Sequence, residues 1–333
     1  MKKLTVVVLM GGSSAEFEVS LATGKEVVRH FNLHKYRVLP LIISRSGKKW
    51  FLVPSSEFLN EQNKSFKRSG TIIEPFNFFK SKKIDLVFIA MHGRFGEDGV
   101  VQGILDFLGV RYTGSGVLAS ALGMNKIMFK KIMNEEKISH PRFLVFSKKD
   151  SLSKIWNFFR KPPVFVKPYN QGSSVGTSLV KTKSQIQKAL KLAFSYSDPV
   201  LIEEYLSGLE ISCGVLGNSN PWALPAAEII PKNEFFDYEA KYTPGKSEEI
   251  VPARISPKLA EEISKIAIKV FKAIGACGFA RIDMIVQKGK PFVLEINTIP
   301  GLTPVSILPK EAAAAGFSYS QLLEVITKLA LEN

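Results

Sequence analysis

The sequence predicts a mixed α/β protein, in which a first part built from βα units is followed by a part rich in antiparallel strands. The apolar run Leu4–Met10 ends in two glycines and is followed by a helical pattern, which is the order of a βα unit. A second apolar run, Ile84–Met91, also ends at a glycine-rich segment. Towards the C terminus, Phe279–Val286 and Pro291–Ile296 flank a short polar segment around Gly289, which is typical of a hairpin.

Length and composition indicate a globular protein with two or three packed units. The chain has 333 residues, 45% of them hydrophobic, and no apolar run approaches the roughly 20 residues that span a bilayer. Met1–Lys3 before Leu4–Met10 weakly resembles a signal peptide, but no small-residue cleavage site follows, so we interpret the run as a buried strand. Cys213 and Cys277 have neither metal-site nor disulfide spacing, which is typical of a reducing cytosol. We expect a soluble, cytoplasmic protein.

The net charge of +15 could indicate a nucleic-acid or membrane partner. The lysines, however, are spread along the chain in ones and twos, without a long basic run or an RNA-stacking motif. We therefore expect neither nucleic acid nor membrane as partner. The charge favours a positive field around a site for polyanionic nucleotide and carboxylate substrates.

Glu16 and His92 lie just beyond two predicted strands, where ligands gather in open α/β sheets. Glu16 precedes a helix predicted from about residue 19 to 31, and a capping box with Ser13 is the alternative for its side chain. A packed or capping imidazole is the alternative for His92. The other elements predicted in this part are strands at Tyr36–Ser44 and Trp50–Val53 and an irregular insertion from about Ser55 to Gly70.

The middle of the chain combines lysines with a glycine- and serine-rich loop. The strand Val164–Pro168 contains Lys167 and runs into the hydroxyl-rich loop Tyr169–Ser178, whose N–H groups and hydroxyls suit phosphate oxygens. Such loops are often only turns. Lys126 lies in a helix predicted over about Val117–Glu136, where a lysine is normally solvated.

Acidic and aromatic residues follow this loop. Glu203 ends the predicted strand Pro199–Glu203 and Glu210 begins the next one, although acids at strand ends more often face solvent. The segment Phe235–Gly245 mixes aromatic rings with charge, Pro and Gly, which predicts a lid that orders over a ligand. The remaining predicted elements are a strand at Pro141–Phe146 and amphipathic packing helices at Lys258–Ile274 and Tyr319–Leu331.

The predicted hairpin brings four polar side chains to one face. With the turn centred on Gly289, Arg281 lies opposite Asn297. Asp283 then lies opposite Glu295, and the two-residue period turns all four to the same side. Oxygen ligands without nearby His or Cys suit Mg²⁺, whereas the alternative is a solvated sheet face with one cross-strand ion pair. The alternate positions are apolar and are expected to face a core: Ile282, Met284, Leu294 and Ile296.

The segment after the hairpin favours a site over a solvated face, because Pro300 and Gly301 place backbone N–H groups directly beyond the ligands. These residues resemble the metal end of ATP-grasp ligases, specifically of D-alanine–D-alanine ligases. Nine motifs occur in family order, so the resemblance extends over most of the chain: GGSSAEFEVS (11–20), HGRFGEDGVVQG (92–103), YTGSG (112–116), VKP (166–168), GSSVG (172–176), LIEEYLSGLE (201–210), FDYEAKY (236–242), ARID (280–283) and EINTIPG (295–301).

The resemblance implies a Rossmann-like N-terminal domain followed by a two-part ATP-grasp fold. The implied domains are residues 1–114, which contribute to the substrate site, a central ATP-grasp subdomain over 115–202, and a C-terminal subdomain over 203–333. The last would carry the metal site and a lid loop at about 232–247. Relatives are often dimers, so the resemblance also implies a homodimer.

The resemblance implies ATP as a substrate and two Mg²⁺ or Mn²⁺ ions held by Asp283, Glu295 and Asn297. Phe236 stands where some relatives carry Tyr, so ring stacking on the nucleotide is implied but no hydroxyl contact. The other implied nucleotide contacts are Lys126, Lys167 and Lys241 at the phosphates, Ser173 and Ser174 in the covering loop, Glu203 and Leu206 at adenine, and Glu210 at ribose.

The implied reaction is the ATP-dependent ligation of two D-alanine molecules through an acyl phosphate, for peptidoglycan precursor synthesis. Glu16 would anchor the first ammonium group and form a hydrogen-bonded triad with Ser173 and Tyr242. Arg281 and the Gly301 N–H would hold the oxyanion of the tetrahedral intermediate. The second substrate's carboxylate would bind Ser306, with His92 nearby.

Two alternatives to this function remain open. One is an ATP-grasp ligase that takes D-serine or D-lactate as second substrate; Tyr242 favours D-alanine, because relatives that accept D-lactate tend to carry Phe there. The other is a non-catalytic nucleotide binder, against which the complete metal set and Arg281 argue.

Overall fold

The structure, a computed structural model, describes residues 3–60, 69–232 and 245–332. Three sheets occur in these ranges, one of five, one of four and one of six strands. The predicted lid falls mostly on residues 233–244, so Phe236, Lys241 and Tyr242 lie outside the described residues. No helix in the described ranges is both long and apolar enough to cross a membrane.

The first sheet contains the predicted βα unit. Its strand order is β4-β3-β2-β1-β5, with β1 parallel to β2 and β5, while β3 and β4 are antiparallel additions. Helix α1 packs on β1, and the C-terminal helix α11 (Tyr319–Leu331) joins the same core. The elements are β1 (Leu4–Gly11), α1 (Phe17–His30), β2 (Tyr36–Ile43), β3 (Trp50–Leu52), α2 (Ser55–Asn60), β4 (Thr71–Ile73), α3 (Pro75–Ser81), β5 (Leu86–Ile89) and α4 (Val100–Phe107).

Because β1 and β5 are parallel neighbours, the loops that follow them meet at one edge of the sheet. The hydroxyl of Ser14, after β1, donates a hydrogen bond to the carbonyl of His92, after β5, at 2.8 Å. The two predicted polar loops are therefore in contact.

The second sheet is antiparallel, with strand order β6-β9-β7-β8. Its core lies between the strands and the apolar faces of α7 and α8. The elements that lead to and form it are α5 (Val117–Met124), α6 (Lys126–Glu135), β6 (Phe143–Phe146), α7 (Leu152–Phe159), β7 (Val164–Pro168), β8 (Ser178–Val180), a 3₁₀ turn (Lys183–Gln185), α8 (Ile186–Ala193) and β9 (Val200–Glu204).

The third sheet carries the predicted hairpin. Its order is β13-β12-β10-β14-β15, with β11 paired to β10, and all its pairs are antiparallel. Helix α9 packs against β10 and β14, and α10 against β10. The elements are β10 (Leu209–Gly217), β11 (Trp222–Ala223), β12 (Ala227–Pro231), β13 (Ser247–Ile250), α9 (Pro257–Ala273), β14 (Gly278–Gln287), β15 (Lys290–Asn297) and α10 (Ile307–Ala314).

The hairpin confirms the predicted polar pairs but not the whole predicted register. Arg281 pairs with Asn297 and Asp283 with Glu295, as expected from a turn centred on Gly289. The turn itself has only two residues, since Gln287 pairs with Lys290, and both turn residues have positive φ. A β-bulge after Asp283 absorbs the difference of one residue.

The bulge makes one sequence prediction wrong. Met284 pairs with Val293, so Leu294 is the extra residue of the bulge. Val293 is fully buried in the core, whereas Leu294 is half-buried and lines a cavity. A bulge reverses the alternation of faces along one strand, which a fixed two-residue period does not represent.

Two predicted element boundaries also need correction. The segment 117–136 is not one helix but two, because the backbone is extended at Asn125, whose side chain accepts from Met128 N–H and caps α6. Lys126 is thus the first residue of a helix. The insertion expected to be irregular from Ser55 begins with helix α2. The domain boundaries drawn from the sequence remain predictions.

Candidate active site

Two cavities meet beside the hairpin. The inter-sheet cavity, of about 530 Å³, lies between the second and third sheets and is lined by Phe165, Lys167, Glu203, Ile285 and Leu294 among others. The loop cavity, of about 490 Å³, is lined by the loops after β1, β5, β7 and β15. Lys126 and Glu295 line both. A ligand filling the first cavity would therefore reach the second at this pair.

Arg281 and Asp283 form a buried pair between the cavities, with Arg281 lining the loop cavity and Asp283 the inter-sheet cavity. The guanidinium donates two hydrogen bonds to the carboxylate, both of 2.7 Å, and Ser212 Oγ donates a third at 2.7 Å. Burial alone would lower the pKa of Arg281, but the adjacent Asp283 carboxylate raises it above its usual range. Arg281 therefore presents a permanent positive charge at the loop cavity.

Lys126 joins the two cavities from the start of α6. Its ammonium lies 2.9 Å from Glu295 Oε2 and donates to the Gln171 carbonyl at 3.0 Å. Burial would lower the pKa of Lys126, but Glu295 raises it, so the side chain stays charged. The ammonium lies beside the glycine- and serine-rich loop, a position that no local pattern in the sequence indicates.

Glu203 is buried and is held by two lysines. Lys167 forms an ion pair with its Oε2, and Lys130 Nζ lies 3.0 Å from its Oε1. Burial would raise the pKa of Glu203, but the two lysines lower it to about 2. Sequence reasoning missed Lys130. The available signal was its spacing of four residues from Lys126, which places both on one helix face.

Glu16 reaches across to the glycine- and serine-rich loop. Its carboxylate accepts a hydrogen bond from Ser173 Oγ, and only 7% of the residue is exposed. Its own N–H donates to Ser14 Oγ at 3.1 Å, so the capping box with Ser13 is wrong. Ser173 and its neighbour Ser174 both have positive φ, 48° and 58°, a conformation that is uncommon for serine and often found at functional loops.

His92 is buried with both ring nitrogens bonded. Nε2 lies 2.8 Å from Thr23 Oγ1, while Nδ1 lies 3.1 Å from the Ile299 carbonyl and 3.3 Å from Glu97 Oε1. Because Nδ1 faces two acceptors, it must carry a proton. Burial would lower the pKa of His92, but Glu97 raises it. The side chain lines the loop cavity and fixes the start of the Pro-Gly segment through Ile299.

Gly301 and Ser306 lie close together and both line the loop cavity. Ser306 is the residue before α10, and its Oγ accepts from Thr303 N–H at 3.2 Å. A Cβ at Gly301 would lie 2.9 Å from Ser306 Oγ, so a larger residue would displace this hydroxyl.

The structure thus brings together all the predicted site residues that it describes. The inter-sheet cavity is lined by Lys126, Lys167, Ser174, Glu203, Leu206, Glu210, Asp283 and Glu295. The loop cavity is lined by Glu16, His92, Ser173, Arg281, Asn297, Gly301 and Ser306, together with the shared pair. Proximity does not test the role of each residue, and these roles remain predictions.

The hairpin oxygens fit a divalent cation. In the described ranges, no three His, Cys, Asp or Glu side chains cluster closely enough to form a metal site. Asp283 and Glu295 are nevertheless cross-strand neighbours, and the Asn297 amide follows Glu295 by two residues on the same strand. Two carboxylates and an amide, completed by phosphate oxygens, suit Mg²⁺, which prefers hard oxygen ligands. In this structure the cations of Arg281 and Lys126 balance the two carboxylates.

Comparisons with known proteins decide the family. Residues 5–115 match the family profile described as "D-ala D-ala ligase N-terminus", and residues 118–328 match "D-ala D-ala ligase C-terminus". The chain belongs to the D-alanine–D-alanine ligase family. It is 39% identical to the D-alanine–D-alanine ligase of Pelotomaculum thermopropionicum, over 99% of this chain and 98% of that protein. It is 40% identical to that of Carboxydothermus hydrogenoformans, over 99% of each.

Solved structures of D-alanine–D-alanine ligases and of a D-Ala:D-Ser ligase have the same fold. The enzyme from Coxiella burnetii gives a TM-score of 0.91 at 32% identity, covering 100% of this chain and 95% of that one. The VanG D-Ala:D-Ser ligase from Enterococcus faecalis gives 0.88 at 33%, covering 99% and 100%. The Bacillus anthracis D-alanine–D-alanine ligase complexed with ATP gives 0.79 at 34%, covering 100% and 98%. The predicted family, fold class and ligase activity with ATP are therefore confirmed.

Proposed function

We propose that the chain joins two D-alanine molecules in an ATP-dependent, ADP-forming reaction that serves peptidoglycan precursor synthesis. The observation that carries this proposal is the meeting of the two cavities at Lys126 and Glu295, with the Arg281–Asp283 pair between them. A nucleotide in the inter-sheet cavity would then present its γ-phosphate to an amino acid in the loop cavity.

The inter-sheet cavity is lined by both cations and acids. Lys126 and Lys167 would hold the ATP phosphates, while Glu203 and the backbone at Leu206 would bind adenine and Glu210 the ribose hydroxyls. Ser174, in the loop beside Lys126, would cover the phosphates. Phe236 and Lys241 would contribute from the lid.

Asp283, Glu295 and Asn297 would hold two Mg²⁺ ions, which supply charge neutralisation along the phosphates when bound. The ion pairs that the two carboxylates make with Arg281 and Lys126 would then loosen. The two carboxylates would thus exchange one positive partner for another.

The first step transfers the γ-phosphoryl group. The Glu16 carboxylate binds the ammonium group of the first D-alanine. This contact directs the carboxylate of D-alanine at the γ-phosphate. A carboxylate oxygen forms a bond to phosphorus, the bond to the β,γ-bridging oxygen breaks, and ADP leaves. Ser173 holds Glu16, and Tyr242 of the lid would complete the triad. Exclusion of water matters here, because the acyl phosphate product is hydrolysed readily.

The second step forms the peptide bond. Ser306 binds the carboxylate of the second D-alanine, whose amine attacks the acyl carbon and loses a proton as the C–N bond forms. The oxyanion of the tetrahedral intermediate lies between Arg281 and the Gly301 N–H, where one such donor is typically worth about 10²–10³ in rate. Collapse of the intermediate breaks the C–O bond and releases phosphate. His92 holds Ile299, and so the Pro-Gly segment, in place.

The test is a product assay with the purified chain, ATP, Mg²⁺ and D-alanine. We expect D-alanine-dependent release of ADP and phosphate in equal amounts, with D-alanyl-D-alanine identified by mass spectrometry. Omission of D-alanine is the control. ATP binding without turnover on any D-amino acid would contradict the proposal and favour a non-catalytic binder.

A second candidate is ligation of D-alanine to D-serine. The similarity to the VanG D-Ala:D-Ser ligase, at a TM-score of 0.88, is the observation that favours it. Kinetics with D-alanine, D-serine and D-lactate as competing second substrates separate the candidates. We expect D-alanine to give the highest kcat/KM, because the lid carries Tyr242.

We further propose a cytoplasmic homodimer, in line with the substrates and with the family. In the structure, Phe107 is 79% exposed and its ring lies 6.3 Å from that of Phe76, itself 43% exposed. Such an exposed aromatic pair suits an interface between subunits. Light scattering of the wild type and of Phe107→Ser tests this; a wild-type monomer would contradict it.

A further inference from the structure

Lys130 is a buried lysine that the mechanism above does not use. It is 0% exposed, although lysine is almost never fully buried unless it is paired. Its ammonium lies 3.0 Å from Glu203 Oε1, as an ion pair without hydrogen-bond geometry, and donates a hydrogen bond of 3.1 Å to the Val293 carbonyl. One ammonium thus joins α6 to strands of two different sheets.

The two partners of Lys130 lie on two different strands beside the inter-sheet cavity. Glu203 is in β9 and is the proposed adenine contact. Val293 is at the β-bulge of β15, two residues before Glu295 of the proposed metal site. Lys126, one helical turn before Lys130 on α6, pairs with Glu295 itself. Helix α6 therefore holds two carboxylates of the cavity, Glu295 and Glu203, through two lysines on one face.

Lys167 alone cannot serve as the permanent counter-ion of Glu203. Lys167 lines the inter-sheet cavity and is one of the two lysines proposed to bind phosphate. When it turns to the nucleotide, Glu203 would be left as a buried charge without a cation, which is strongly unfavourable. Lys130, being fully buried, keeps its contact with Glu203 whatever Lys167 does.

A contribution to folding stability does not readily explain the ion pair between Lys130 and Glu203. Burial lowers the pKa of Lys130 from 10.5 to about 8, which disfavours folding at neutral pH. The pKa of Glu203 falls from 4.5 to about 2, despite the opposing effect of burial, which favours folding at neutral pH. The two effects oppose each other. A buried ion pair is in general weak evidence for stability, and its position explains it more readily.

We infer that Lys130 is a positioning residue for nucleotide binding: it fixes Glu203 against the hairpin strand and remains its counter-ion while Lys167 binds phosphate. The inference rests on the proposed use of the inter-sheet cavity for ATP. Lys130 itself does not touch the nucleotide. It holds Glu203 beside the strand that carries Glu295.

Lys130→Met tests the inference, with Lys131→Met as matched control, because Lys131 is the next residue of α6 and is exposed. We expect Lys130→Met to raise KM for ATP by roughly 10- to 100-fold, since Glu203 then holds Lys167 away from phosphate. KM for D-alanine should stay within about twofold, since the loop cavity is untouched. Lys131→Met should leave both constants unchanged, and Lys130→Arg should restore part of the loss.

A double-mutant cycle with Glu203→Gln distinguishes positioning from general damage. If Lys130 acts through Glu203, adding Lys130→Met to Glu203→Gln should change KM for ATP by less than about threefold. The double variant lacks both buried charges, so it can still be compared with Glu203→Gln even if Lys130→Met alone does not fold. Additive effects, equal rises in both KM values, or no effect of Lys130→Met would each overturn the inference.

Calorimetric titration with ATP separates this inference from the proposed function. A wild type that binds ATP but makes no dipeptide would refute the proposed function alone, and Lys130→Met would still be expected to weaken ATP binding by the same factor. Unchanged binding by Lys130→Met, in a wild type that is active, would refute the role of Lys130 alone.

Discussion

Replacing Gly93 by alanine should displace the Glu16 carboxylate without substituting any residue proposed to bind substrate. Gly93 has φ +69°, and a Cβ built on it would overlap Glu16 Oε2. The backbone at this position is held by the bonds that Gly96 and Glu97 N–H donate to the Gly93 carbonyl, at 3.1 and 2.9 Å. The carboxylate of Glu16 is therefore the group that must move.

The expected magnitude has two parts. A left-handed backbone conformation costs an L-residue roughly 1–2 kcal/mol relative to glycine, which lowers stability. The displaced carboxylate also loses its bond to the ammonium of the first D-alanine, and a hydrogen bond between charged groups is worth about 1.5–3 kcal/mol. At about 1.4 kcal/mol per factor of ten, we expect kcat/KM for D-alanine to fall roughly 10- to 150-fold.

The assay is ADP release at saturating ATP with D-alanine varied, together with thermal unfolding. Gly109→Ala is the matched control, because Gly109 has φ +64° and a Cβ there would meet no atom within 4 Å. Gly109→Ala introduces the same kind of backbone strain but displaces no neighbouring side chain. Both variants should lose similar stability, while Gly109→Ala keeps the wild-type kcat/KM. If Gly93→Ala also kept it, the position of Glu16 would not matter and the proposed anchor would be wrong.

Three further predictions concern the hairpin and the buried acid. Asp283→Asn keeps the shape but removes the charge beside Arg281, so kcat for ADP release should fall at least about 100-fold, and a wild-type kcat would contradict the metal assignment. Val293→Ala should lower the free energy of unfolding in urea by about 2 kcal/mol, and Leu294→Ala by less than about 1 kcal/mol, because only Val293 is in the core; the reverse order would disprove the bulge. Because the pKa of Glu203 is lowered to about 2, its contribution to stability is complete above its ordinary value of 4.5 and is lost as pH falls towards 2. Lowering the pH through that range should therefore reduce the free energy of unfolding of the wild type more than that of Glu203→Gln, by on the order of 3 kcal/mol.

Residues close in sequence could be placed from the sequence with good accuracy. The pairing of Arg281 with Asn297 and of Asp283 with Glu295 depends on a turn a few residues away, and the structure confirms it. The bulge at Leu294 was missed, because nothing in an alternating pattern indicates where the extra residue lies. Local arguments thus located the polar face correctly but not every apolar one.

Contacts between distant segments were accessible only through the family resemblance. Glu16 and Ser173 are 157 positions apart, and their hydrogen bond follows from no local pattern. Taken alone, the residues around Glu16 favoured a helix cap. The structure shows instead that the Glu16 carboxylate binds Ser173, in the loop that follows β7 of the second sheet.

The sequence by itself determined the first βα unit, the polar face of the hairpin and the family, because these depend on residue spacing and on motifs that occur in order. Only the tertiary structure decided that Lys126 and Lys130, two apparently ordinary helical lysines, pair with Glu295 and Glu203, and that Lys130 is fully buried. The physical reason is that burial and charge pairing depend on which other segments pack against a helix face. That information is held by residues far along the chain and appears in no local pattern.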